Sequence, residues 1–288
     1  MTLDGADGGV PPYRKIANSL RSDILSGALP IGAQLPTQAA LVRRFGVSRA
    51  MIIRALEELR DNGYIDSRQG SGSYVRDRAR GRPVPGPAGV LLSRHLALAC
   101  EAKQVRIDVI SLTCETLSGA LHRPFERIRS GELRPESIAL RLLLPANSAK
   151  LAVPRSTTDP EDDRPTQRFR RLAAGQTVSI ESAVEALRDL DHVSNATVEI
   201  RGLPVTPLQK LYLLNGAEAL FGHYEVVERS VTYRGDALDI YDVLGLGATL
   251  FHFSAGPSGD DGMGKEFVDR SQRWFDSLWN TISEPWDG

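Results

Sequence analysis

The stretch that most constrains this 288-residue chain is "FGVSRAMIIRALEELRDNGYIDSRQGSGSYV", residues 45–75. Its apolar period changes once, abruptly. From Ser48, a hydroxyl residue suited to capping, the apolar positions Met51 or Ile52, Ala55, Leu56 and Leu59 recur at helical spacing. "DNG" then stops the helix, with Gly63 as the residue after its C-cap. "YIDSRQGSGSYV" reads as two short strands around a glycine-rich tip, a β-hairpin. Gly46, just upstream, supplies a sharp turn into the helix.

Two more helices precede that turn. Ile16, Leu20, Ile24 and Leu25 share one face of a helix that starts near Tyr13 and stops at Gly27. "ALPIGAQLP" reads as a turn-rich connector. Thr37 can cap a helix carrying Ala39, Ala40, Leu41, Val42 and Phe45. Helix, helix, turn, helix and hairpin in about 65 residues make a winged helix-turn-helix, with its domain over residues 11–77 and a polar, glycine-rich stretch (1–10) before it.

Charge follows the same division. Residues 11–82 hold thirteen Lys/Arg against six Asp/Glu, a net +7, whereas 83–288 hold 22 against 28, a net −6. A basic unit joined to a larger acidic one suits a nucleic-acid binder with a partner domain. In a helix-turn-helix the second helix enters the major groove with its first residues at base edges. Ser48 and Arg49 stand there: arginine can pair two-pronged with guanine O6 and N7, and Ser48 with nearby N–H groups can hold phosphate. The tip residues Arg68, Gln69, Gly70, Ser71 and Gly72 suit a wing entering the neighbouring minor groove.

Residues 12–75, "PYRKIANSLRSDILSGALPIGAQLPTQAALVRRFGVSRAMIIRALEELRDNGYIDSRQGSGSYV", resemble the DNA-binding domain of the GntR family of bacterial transcription regulators. The usual pattern is Y-x-x-I-x-x-x-L-x-x-x-I-x-x-G, then G-x-x-L-P-S-E-x-x-L-A-x-x-F-G-V-S-R-x-T-V-R-x-A-L, then a wing R-x-G-x-G-T-x-V. The resemblance covers about a quarter of the chain. It implies a DNA-contacting set of Tyr13, Thr37, Gln38, Arg43, Ser48, Arg49, Ile53, Arg54, Arg68, Gln69, Gly70, Ser71 and Gly72. Four departures stand out. Thr37-Gln38 replaces Ser-Glu, Ala39 replaces an arginine, Met51 replaces a threonine, and Ile53 replaces another arginine. Ile53 either meets a thymine methyl group or gives up a contact. The resemblance implies a cytoplasmic, nucleoid-associated homodimer on a pseudo-palindromic double-stranded operator.

"RARGRPVPGPAG" (residues 78–89) lacks periodicity and reads as a partly stiff linker over 78–90. The remainder, 91–288, reads as an α/β domain with a mixed sheet that senses an effector and dimerises. Helices are expected over 91–103, 117–130 and 178–190, with strands at "RIDVISLT", "SIALRLLLP", 196–201, 208–214, 218–228 and 248–254. Residues 146–167 read as a mobile loop. A closing amphipathic helix aligns Phe267, Trp274, Phe275, Leu278 and Ile282, as core or as a dimer face.

"KLYLLNGAEALFGHYEVVER", "FHFSAG" and "WFDSLW" are scattered stretches similar to a phospholipase D-like domain, but no histidine starts the H-x-K-x-x-x-x-D motif of that chemistry. No G-x-S-x-G elbow occurs. "GDDGMGK" (259–265) fits a phosphate-loop pattern, yet Glu266 replaces the Mg²⁺-binding hydroxyl and two aspartates oppose phosphate. No enzyme and no cofactor are expected; an enzyme fused to the DNA-binding unit and a ligand-free dimerising repressor are the alternatives. The five histidines are too dispersed for metal-ligand spacing. His223 and His252, with Tyr224, Tyr233 or Tyr241, are the expected lining of an effector pocket. Cys100 and Cys114 read as two buried thiols, and no apolar run reaches the roughly 18 residues that cross a bilayer.

Overall fold

A computed structural model describes residues 12–25, 28–30, 32–61, 64–68, 72–75, 85–245, 247–255 and 262–287. The chain divides into two compact units, 1–84 and 85–288.

The first unit runs α1 (Pro12–Leu25), α2 (Gln38–Phe45), α3 (Arg49–Asp61), β1 (Ile65–Arg68) and β2 (Gly72–Val75). Periodicity predicted each element because each buries one stripe. Ile16, Ala17 and Leu20 of α1, Leu41 of α2, and Ile52, Ala55, Leu56 and Leu59 of α3 share one core with Leu35, Tyr64, Ile65 and Val75. Each fully buried aliphatic side chain contributes about 1.5–3 kcal/mol. β1 and β2 pair antiparallel, Ile65 opposite Val75. The connector before α2 does more than turn: Leu35 N–H donates to the Ser73 carbonyl and Val75 N–H to that of Ala33. Gln34 thereby bridges to Tyr74 and lengthens the wing sheet by a short third segment.

The second unit begins with β3 (Gly86–Pro87) and α4 (Ala88–Ala99), then β4 (Gln104–Ile110), α5 (Glu115–Arg129), β5 (Ser137–Pro145), β6 (Arg155–Ser156) and α6 (Arg164–Arg188). There follow β7 (Asn195–Leu203), β8 (Gln209–Leu214), β9 (Glu218–His223), β10 (Val226–Tyr233), β11 (Asp236–Val243), β12 (Thr249–Ser254), α7 (Met263–Thr281) and β13 (Glu284–Pro285). Eight strands form one mixed sheet in the order β13-β7-β5-β4-β8-β9-β12-β3. β4, β5 and β7 are parallel, whereas β8, β9 and β12 pair antiparallel. Alternate residues of each strand serve opposite faces. Val105, Ile107 and Val109 of β4 and Leu140 and Leu142 of β5 face the α4–α6 side. Ile110, Leu143, Leu211 and Leu213 face α7 with Phe275 and Trp279. Helices on both faces explain why "SIALRLLLP" is almost wholly apolar.

A polar clamp seats α7 on the sheet. Arg141 donates to both oxygens of Asp108 at 2.7 Å and to Asp276 at 2.7 Å, while Gln272 donates to Asp108 at 2.8 Å. Burial alone would raise the Asp108 carboxyl. The hydrogen bonds from Arg141, Gln272 and Arg106 outweigh it and hold Asp108 below its ordinary 3.8. Phe275 and Trp279 of the closing stripe are buried in this core, whereas Trp274 and Ile282 are exposed.

Several expectations are corrected. The linker gives way earlier than residue 90, because Gly86–Pro87 pair with Leu250 and Thr249 and α4 starts at Ala88. Residues 146–167 are not one loop: β6 lies within them, and α6 starts at Arg164, fourteen residues before the expected 178. Polar residues hid its core stripe of Phe169, Ala173, Thr177, Ile180, Val184 and Leu187. The expected strand 218–228 is two, β9 in the main sheet and β10 in a separate sheet of order β10-β11-β6. β11 was missed. Arg234 and Gly235, both at positive φ (53° and 94°), form its two-residue hairpin loop. Both cysteines are buried free thiols, and burial pushes each up to about 12.

Candidate nucleic-acid interface

The turn between α2 and α3 aims the residues that matter. Thr37 caps α2 by accepting from the Ala40 N–H at 3.2 Å. Gly46 ends α2 in the left-handed region (φ 65°, ψ 31°), and its N–H donates to Val42. Two residues later Ser48 opens α3: its carbonyl accepts from the Met51 and Ile52 N–H groups, and its hydroxyl accepts from Met51 at 3.4 Å.

Arg49, the first residue of α3, is exposed, and its Nε donates to Gln38 Oε1 at 3.0 Å. The neutral amide orients the guanidinium without cancelling its charge. A depression between α2, α3 and β2 is lined by Thr37, Gln38, Arg43, Arg49, Gly72 and Ser73 among others. Six of the sequence-selected positions therefore sit close together at the start of α3: Thr37, Gln38, Arg43, Ser48, Arg49 and Gly72. Gly72 is held at φ 91°, beside Gln34.

The remaining positions divide. Arg54 stacks its guanidinium 5.8 Å from the centre of the Tyr13 ring, which ties α3 to α1. Ile53 is 37% exposed, as is Met51, while Ile52 is fully buried; the isoleucine in the arginine position thus faces solvent, outside the core. Arg68 lies on β1 by its backbone, with its side chain outside what the structure describes; Gln69, Gly70 and Ser71 lie outside the described residues. Arg44 is committed elsewhere, paired with Asp23 at 2.8 Å and laid over Phe45.

A family model described as bacterial regulatory proteins, gntR family, matches residues 12–75. Residues 12–75 are a GntR-family helix-turn-helix domain. Among curated relatives, the mannosyl-D-glycerate transport/metabolism system repressor of Escherichia coli is 44% identical over 70 residues, covering 24% of this chain and 29% of its own. The histidine utilization repressor of Klebsiella aerogenes is 34% identical over 110 residues, covering 36% and 45%. This chain therefore spans less than half the length of either relative. Among solved structures, the AraR DNA-binding domain in complex with an operator is 31% identical, covering 26% of this chain and 90% of that one, with a TM-score of 0.24. The phospholipase D-like resemblance of the second unit is not supported by the family model or by these relatives.

In the second unit the five residues expected to share a pocket are not gathered. Tyr224 is buried with Leu112 and Phe169, and its hydroxyl accepts from the Leu112 N–H at 3.1 Å. Tyr233 packs with Leu238 and Ile240 of the small sheet, and Tyr241 lies under Arg155. His223 is exposed and meets Phe221 edge-on. His252 joins His95 and Glu218. The premise that the histidines stand apart is corrected here: the fold brings together two that lie 157 positions apart. Sequence reading also missed Lys210, a buried lysine that donates to Thr116 Oγ1 and the Gly245 carbonyl, both at 2.6 Å, and that burial lowers to about 8. Its only signal was a lysine inside the apolar strand "QKLYLL".

Proposed function

We propose that this chain is a sequence-specific, DNA-binding transcription regulator, with α3 as the helix that enters the major groove. The observation that carries this reading is the GntR-type domain presenting Arg49 on the first turn of α3, exposed and oriented by Gln38. At that place an arginine can pair two-pronged with guanine. The two relatives described above are both named as repressors, which supports repression as the mode of action. The wing residues Arg68 to Gly72 complete the interface from the minor-groove side. Such a protein works in the cytoplasm, on the nucleoid; no helix among the described residues is long and apolar enough to cross a membrane.

The protein acts as a homodimer on a pseudo-palindromic operator, because a two-fold protein imposes a two-fold site. The second unit holds the dimer and responds to a small ligand, without catalysis. A ligand acts there by favouring one spacing of the two GntR-type domains over another. The names of the two repressors, which refer to mannosyl-D-glycerate and to histidine use, support a metabolite as the kind of effector.

Capture of genomic DNA fragments by the purified full-length chain tests this reading. The expected result is enrichment of a common inverted repeat, beside genes whose products point to the effector. Recovery of fragments in proportion to the input would overturn sequence-specific binding. Light scattering at the elution peak should give twice the chain mass; a monomer on the operator would overturn the dimer.

A further inference from the structure

Three side chains from three elements meet beneath α4. His95 lies on the buried face of α4 and is only 3% exposed. Glu218 opens β9, placed by the tight turn at Asn215 and Gly216, both at positive φ. His252 sits on β12, opposite Leu220 of β9, so it and Glu218 emerge on the same face of the sheet. His95 Nδ1 is 2.6 Å from Glu218 Oε2, and His252 Nε2 is 3.3 Å from the same oxygen. The two imidazole rings are 4.1 Å apart, tilted by 34°. His252 Nε2 is buried, and its approach to Glu218 is not aligned as a hydrogen bond, so its bonding capacity is not filled. An unsatisfied buried ring nitrogen costs free energy, so the arrangement wants something the protein itself does not supply.

All three donor atoms lie within 4.8 Å of one another. A tetrahedral divalent ion with nitrogen and oxygen donors at about 2.0–2.2 Å sets its ligand atoms about 3.3 Å apart. The 3.3 Å separation already fits, the 2.6 Å one has to open by about 0.7 Å, and the two ring nitrogens lie within 4.8 Å of each other. Two imidazoles and one carboxylate suit a borderline transition ion better than calcium or magnesium, which prefer all-oxygen sets. Glu218, 28% exposed, is the open side through which an ion can arrive.

We propose that His95, Glu218 and His252 form a site for one divalent transition-metal ion of the zinc class. The ion is held by Nδ1, a carboxylate oxygen and Nε2, with a fourth position left for water or a donor atom of a ligand. The site ties α4, the first helix after the linker, to β9 and β12. It lies wholly within the second unit and does not depend on how the GntR-type domain reads DNA.

The test uses the untagged full-length chain, stripped with a chelator and titrated with Zn²⁺ by calorimetry and with Co²⁺ by visible absorption. One ion per chain is expected, with the d–d bands of four-coordinate Co²⁺. His252→Gln and Glu218→Gln should each weaken Zn²⁺ binding by more than the ~10–100-fold that losing an outer-shell partner costs, and should remove those bands. His223→Ala, which changes an exposed histidine outside the cluster, should bind as the unaltered chain does. Because His252 Nε2 makes no protein hydrogen bond, His252→Gln should fold like the parent by circular dichroism, and it decides the matter if Glu218→Gln does not fold. Absence of stoichiometric binding, or binding unchanged in His252→Gln, overturns the proposal.

Discussion

Gln38 accepts a hydrogen bond from Arg49 Nε across the turn of the helix-turn-helix, at 3.0 Å. Gly46 turns the chain between the two helices, and the residue that opens α2 fixes the direction of the arginine. In the GntR pattern a glutamate stands at position 38, which would convert this contact to an ion pair. The amide leaves the full positive charge of Arg49 available to DNA. Gln38→Ala should therefore weaken operator binding by the worth of one orienting hydrogen bond, about 0.5–1.5 kcal/mol. The loss should appear on the operator and not on random duplex. Anisotropy titrations with both duplexes check this; equal losses on the two would show that Gln38 acts on DNA directly rather than through Arg49.

Ile53 marks where this domain gives up a cation. It is exposed on α3, one residue from the buried Ile52. Restoring the charge with Ile53→Arg should tighten binding to duplexes of any sequence and steepen the dependence of log K on log salt by about one unit. A salt titration reads this directly, and an unchanged slope would place position 53 away from the phosphates.

Gly72 holds the wing's return strand at φ 91°, and an added Cβ would sit 2.8 Å from the Gln34 amide nitrogen. The side chain of Gln34 can swing aside, so the backbone conformation sets most of the cost. Gly72→Ala should cost about 1–3 kcal/mol, read as a lower midpoint for the unfolding of the first unit in thermal melts. No shift would contradict this strained geometry.

Asp108 is one of the carboxylates that tie the stability of the second unit to pH. Its folded value lies below the ordinary 3.8. Its contribution is therefore present above that ordinary value and is lost as pH falls through the folded one. Denaturation midpoints of the second unit should fall on acidification below about pH 4. Asp108→Asn should flatten that fall and cost about 3 kcal/mol at neutral pH, because Arg141 and Gln272 lose a charged buried partner. Equal acid sensitivity in both proteins would remove Asp108 from the account.

The helices and wing of the GntR-type domain were legible because each buries a regular stripe between glycine stops. The first turns of α6 were not. Arg164 to Arg171 hold four arginines around Pro165 and Phe169, and the stripe emerges only once Ala173 and Thr177 are counted with them. The β10–β11 hairpin escaped for the opposite reason: β10 is mostly exposed, so no apolar alternation marks it. The proposed interface was read from Arg49 and Ser48, whose proposed roles follow from position on a helix. The pairing of Arg49 with Gln38 needed the angle between two helices. The His95–Glu218–His252 cluster was invisible, since its members come from a helix and two strands far apart in sequence, and no spacing rule spans such separations.

The role proposed for Arg49 is to read bases from the first turn of α3. Anisotropy titrations of the unaltered protein and of Arg49→Ala, each on the captured operator and on a scrambled duplex at one salt concentration, test it most directly. Arg49→Ala should lose about 1–3 kcal/mol on the operator and much less on the scrambled duplex, so that discrimination falls. Operator affinity equal to that of the unaltered protein, with discrimination retained, would contradict it.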